Sequence, residues 1–164
     1  MQPLAKVPGP TRRAMMGDLP DQRRWPVRLP DGLLHSHGAY SAGIVCGHLL
    51  FVSGQVGVDP RTDELVGDEI GAQTRRALEN LLLVAASAGS GPQDAVRIGV
   101  HLVDMADFAV FDEICREYFG DPYPTRVTVQ ATLFPGFLIE IDGIFALSSD
   151  DSPRESSEVA FPAR

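Results

Sequence analysis

Residues 124–145 read PTRVTVQATLFPGFLIEIDGIF, and the pairing of this stretch sets the order of the sheet. Val127, Val129, Ala131 and Leu133 alternate with Arg126, Thr128, Gln130 and Thr132, the period of a strand with one covered face. Beyond Pro135-Gly136, the run 138–147 is apolar apart from Glu140, Asp142 and a glycine. Two strands around a Pro-Gly turn predict a β-hairpin. Two charges stand out in it. Arg126 follows Pro124, which stiffens the approach and biases Tyr123 to an extended conformation. Glu140 lies between Ile139 and Ile141, where a carboxylate costs desolvation energy unless it is paired or locally solvated.

Working outward, AYSAGIVCGHLLFVSGQV predicts two apolar strands, about 40–46 and 49–56, broken at Cys46-Gly47-His48. In DEIGAQTRRALENLLLVAASAGSG, the residues Ile70, Thr74, Ala77, Leu78, Leu81, Ala85 and Ala88 fall on one face of a helix. Asp68 and Glu69 suit its N-terminus and Gly89 its C-cap. AVRIGVHLVD, 95–104, reads as a strand, and MADFAVFDEICREYFG as a second helix with Phe108, Phe111, Ile114, Cys115 and Tyr118 on one side. The order is β-β-α-β-α-β-β, an α+β fold with a mixed sheet and both helices on one face. Such a sheet leaves its other face in need of a partner. The apolar residues on both faces of 138–147 therefore predict a homo-oligomer.

The chain of 164 residues is long enough for one domain with a true core. Residues 1–34, rich in Pro and Arg, read as an extended arm, and the polar segment 148–164 as a disordered tail. The folded domain is expected over 35–147. Net charge is −8, yet residues 1–34 hold six basic against three acidic residues, so the acidic excess sits in the middle. That charge repels phosphate backbones and argues against a nucleic-acid partner. No apolar run approaches the roughly 20 residues of a membrane helix, and no apolar h-region marks a signal peptide. Cys46 and Cys115 do not make a disulfide framework; they read as free core thiols in a reducing cytoplasm.

Arg126 is suited to holding a carboxylate by two parallel hydrogen bonds, or else is a surface strand arginine. Burial would raise the pKa of Glu140 and suit it to proton transfer, or else it is a structural ion pair, with Arg126 as one partner to consider. Asp142 shares its face and competes for the role of paired acid. Tyr40 can close a small pocket, and Gly54, after Ser53, lets a ligand approach backbone N–H groups. His35, His37, His48 and His101 show no familiar metal-ligand spacing. Neither GxGxxG nor GxxxxGK[ST] occurs, so no phosphate loop is expected. No metal and no organic cofactor is signalled.

The run GAYSAGIVCGHLLFVSGQVGVDPRTDELVGDEIGAQTRRALENLLLVAASAG, followed by DFAVFDEICREYFG, PTRVTVQATL and LIEIDGI, resembles the YjgF/Rid family (RidA-like) of reactive-intermediate enamine/imine deaminases. The likeness covers about residues 36–147. It implies a chorismate-mutase-like α+β fold and a homotrimer with active sites in clefts between subunits. It also implies that Arg126 binds the substrate carboxylate and that Glu140 orients or activates water. Tyr40 and the backbone near Ser53-Gly54 would line the pocket. The implied substrate is a small carboxylate-bearing enamine or imine, hydrolysed to a 2-oxo acid and ammonia. Three positions depart from many members. Thr128 stands for a cysteine, Gly38-Ala39-Tyr40 for Gly-Pro-Tyr, and Asp112 for an asparagine facing the pocket. A carboxylate at Asp112 would disfavour a second substrate carboxylate nearby.

Other functions fit the same scaffold: an aminomuconate-type deaminase, a biosynthetic isomerase or cyclase, or a small-ligand binder without turnover. Ribonuclease activity is disfavoured by the acidic middle and by the lack of a histidine pair placed for phosphodiester cleavage.

Overall fold

The computed structural model describes residues 24–33 and 38–147. Most of the expected arm, the tail 148–164, His35 and His37 lie outside the described residues. The strands are β1 (Arg24–Pro26), β2 (Gly43–Cys46), β3 (Leu49–Val56), β4 (Ala95–Leu102), β5 (Thr125–Gln130) and β6 (Ile139–Ala146). The helices are α1 (Ile70–Ser87) and α2 (Phe108–Tyr118). They form one six-stranded mixed sheet in the order β1-β2-β3-β6-β4-β5.

The hairpin expected over 124–145 does not form. β5 pairs with β4 in parallel, from Arg97↔Thr125 to Leu102↔Gln130. β6 lies between β3 and β4, antiparallel to both. Burial explains the exchange. Ile139, Ile141 and Phe145 of β6 are fully buried, while every residue of β5 except Thr128 is exposed. The more apolar strand takes the centre and the polar one the edge. The connection 131–138 carries the chain across β4, and α2 supplies the crossover that a parallel β4–β5 pair requires. β1, from the end of the expected arm, pairs antiparallel with β2 and extends the chain's own sheet.

The first helix follows its periodicity. Thr74, Ala77, Leu78, Leu81 and Ala85 are buried, against a sheet face made of Leu50, Val52, Ile98, Val100, Ile139, Ile141 and Phe145. Gly89, at φ +77°, ends it: its N–H donates to Ala86 O and that of Ser90 to Ala85 O. The motif AQTRRALEN is structural. Buried Gln73 donates from Nε2 to Gly67 O (2.7 Å) and Gly136 O (2.9 Å) and accepts from Leu138 N–H (2.9 Å). Asn80 Nδ2 donates to Val56 O and Val58 O. Arg75 on α1 pairs with Glu117 on α2. Cys115 is buried as expected, but Cys46 is exposed, because it ends β2 at the turn to β3.

Candidate functional site

Sheet parity sorts the charged residues. Arg126 registers with Ile98 of β4, which is buried under the helices. Glu140 registers with His101, three positions further along β4. Odd separations along a strand point to opposite faces. Arg126 and Thr128 therefore lie on the helix-covered face, and Glu140, Asp142 and His101 on the open one. The sheet stands between Arg126 and Glu140, so the ion pair considered for them does not form.

On the covered side, Arg126 enters a cleft of about 360 Å³ lined by Ile98, Asp112, Cys115, Arg116, Phe119, Tyr123 and Pro124. Its Nη1 donates to Asp112 Oδ1 at 2.7 Å, and its guanidinium carbon lies 5.2 Å from the ring centroids of both Phe108 and Phe111. Arg116, four residues along α2, donates to Asp112 Oδ2 at 2.6 Å. The hydrogen bond from Arg126 foremost, and that from Arg116 next, hold the Asp112 carboxyl below the usual carboxylate range. Burial pushes the Cys115 thiol up to about 12, so it is protonated and inert as a nucleophile at neutral pH. Thr128 Oγ1 is buried with no hydrogen-bond partner among the described residues.

On the open side, a β-bulge between Val52 and Gln55 takes Ser53 and Gly54 out of the β3–β6 ladder. Ser53 Oγ donates to Ser41 O at 2.7 Å, which ties the bulge to the segment after Tyr40. The Glu140 carboxylate packs over Gly54: a Cβ built there would stand 1.8 Å from Glu140 Oε1. Glycine at 54 is thus needed by the carboxylate itself. Asp142 pairs with Arg97 at 2.9 Å, which leaves Glu140 as the acid of this face without an ion-pair partner among the described residues. Around these groups, Phe51 (42 % exposed), Val127 (53 %) and Val129 (41 %) form apolar surface. Tyr40 is exposed.

The chain thus brings Arg126 and Asp112 together, and Glu140, Ser53 and Gly54 together, but not the two groups with each other. Sequence reasoning misses Arg116 and His101 as neighbours of these groups. The spacing Asp112-x-x-x-Arg116 is the usable signal for the first; for His101 the signal is its cross-strand register with Glu140, invisible before the sheet order is known.

This fold and this division of residues define the class. The family described as Endoribonuclease L-PSP matches residues 33–147, and the chain belongs to this YjgF/RidA family. A RutC family protein of Pyrococcus horikoshii is 43% identical over 108 residues, spanning 65% of this chain and 86% of that one. The 2-iminobutanoate/2-iminopropanoate deaminase of Rattus norvegicus is 35% identical over 108 residues, spanning 65% of this chain and 79% of that one. The crystal structure of RidA from a Psychrobacter species superposes with a TM-score of 0.70 at 33% identity, over 75% of this chain and 100% of that one. No helix among the described residues is long and apolar enough to cross a membrane.

Proposed function

We propose that this protein hydrolyses small 2-imino acids, and their enamine tautomers, to 2-oxo acids and ammonia, in sites built between the subunits of a homotrimer. The observation that carries this reading is the separation of Arg126 and Glu140 by their own sheet. In this reading each serves one half of the chemistry, and a neighbouring copy completes the site. The apolar open face supplies the surface for that contact, and the deaminase relative supplies the reaction class.

In this reading Arg126 fixes the substrate carboxylate, and Glu140 of a neighbouring copy takes a proton from water as the water oxygen bonds to C2. The C=N π electrons pass to nitrogen, which takes a proton from solvent. Glu140 returns its proton to the amine of the tetrahedral intermediate; the C–N bond breaks, ammonia leaves, and the hydroxyl oxygen forms the C=O of the 2-oxo acid as its proton passes to solvent. Tyr40, Ser53, Gly54 and Thr128 line the pocket. The reaction needs no metal or organic cofactor, and the free thiols Cys46 and Cys115 suit a reducing cytoplasm.

The test generates imino acids in situ with an amino-acid oxidase and measures ammonia and 2-oxo acid above the uncatalysed rate. Acceleration by the wild type that falls by roughly a hundredfold in Arg126→Ala and in Glu140→Gln is expected. An absence of acceleration with every imino acid sinks the reading. It would move the protein to a dedicated pathway substrate.

A further inference from the structure

The cleft holds two guanidinium groups and one carboxylate. Asp112 lies between them, one oxygen on Arg126 (2.7 Å) and the other on Arg116 (2.6 Å). The three side chains differ in freedom. The Arg126 and Asp112 side chains are 28% and 23% exposed, whereas that of Arg116 is 62% exposed. Arg126 is further confined by Phe108 and the fully buried Phe111. The anchor for a substrate carboxylate is therefore already occupied by an anion from the protein.

Resting on the reading of Arg126 as that anchor, we infer that Asp112 is the resident counter-ion of Arg126, that the substrate carboxylate displaces it, and that Arg116 keeps Asp112 paired when it lets go. A bare Asp112 left beside an incoming anion would repel it at short range; an Asp112 held by Arg116 does not. Arg116 is thus a positioning residue acting through Asp112, and Asp112 is a specificity residue. The charges make the selection explicit. Two cations and one anion leave one positive charge, which one substrate carboxylate neutralises. A second carboxylate finds no free cation and faces Asp112. Ile98, Cys115, Phe119, Tyr123 and Pro124, the remaining wall, carry no charge at neutral pH and, apart from the Tyr123 hydroxyl, offer an apolar surface that suits an uncharged substrate side chain. The class selected is imino acids with one carboxylate and an apolar side chain.

The experiment measures equilibrium binding of 2-oxobutanoate, and of the dicarboxylate 2-oxoglutarate, to wild type, Asp112→Asn, Arg116→Gln and the double variant, with folding checked by circular dichroism. Asp112→Asn is expected to bind 2-oxobutanoate roughly fivefold more tightly and to narrow the preference against 2-oxoglutarate by a similar factor. Arg116→Gln is expected to weaken 2-oxobutanoate binding roughly two- to threefold in the wild-type background and by a clearly smaller factor in the Asp112→Asn background, where only its distant charge is lost. Equal weakening in both backgrounds would place Arg116 directly on the ligand and overturn the inference. So would unchanged or weaker binding by Asp112→Asn, or no binding of either 2-oxo acid by any of the four proteins. The expected binding pattern in a protein without imine turnover would support the exchange while removing the deaminase reading.

Discussion

Arg126 and Glu140 sit on opposite faces of one sheet, on strands separated by β4. Two strand spacings, roughly 10 Å, and the thickness of the sheet divide them. Within one chain the two side chains therefore face away from each other.

Subunit complementation follows from this. Arg126→Ala and Glu140→Gln homo-oligomers are each expected to be inactive. Unfolded together at equal amounts and refolded, they should regain roughly a quarter of the wild-type sites, since one interface in four joins an intact Arg126 to an intact Glu140. Activity of the mixture no higher than either variant would show that the site is not shared.

Gly54→Ala tests the bulge. Its Cβ would fall 1.8 Å from Glu140 Oε1, and the far end of a long side chain gives way more readily than backbone. The carboxylate is expected to move rather than the fold to fail. Turnover should drop at least roughly tenfold, with Tm within about 5 °C of wild type. Normal turnover in the folded variant would detach Glu140 from the chemistry.

The two thiols are expected to differ sharply. Cys46 is exposed and Cys115 buried, with the latter's pKa pushed up to about 12. At pH 8, iodoacetamide should modify Cys46 in the native protein and reach Cys115 only after denaturation, as peptide mass mapping would reveal. Rapid native modification of Cys115 would mean that the cleft opens to its floor.

Asp112 gives an acid-side signature. Its folded pKa is lowered by Arg126 and then Arg116, so its stabilisation is complete above the unfolded carboxylate value and is lost as pH falls through the folded one. Urea midpoints should decline less steeply between about pH 5 and pH 3 in Asp112→Asn than in wild type. Parallel curves would mean that the pair contributes nothing to stability.

Gln73 should carry stability alone. Replacement by leucine abandons the carbonyls of Gly67 and Gly136 and the N–H of Leu138, at a cost of about 2–4 kcal/mol by urea denaturation. A loss below about 1 kcal/mol would show that water replaces these bonds.

Local pattern carried much of this protein. The helix face from Thr74 to Ala85, the Gly89 cap and the strands around Cys46-Gly47-His48 are properties of neighbouring residues, set by periods of 3.6 and 2 and by the conformational freedom of glycine. Arg126 and Glu140 stand out because a charge in a β-branched strand needs a reason. Period 2 tells which residues of a strand share a face but not which strand lies beside it. Competition for the buried centre moved β6 between β3 and β4 and sent β5 to the edge beside β4. That long-range choice put Arg126 beside Asp112 instead of Glu140, set Glu140 over Gly54, and divided the candidate site between two faces of the sheet.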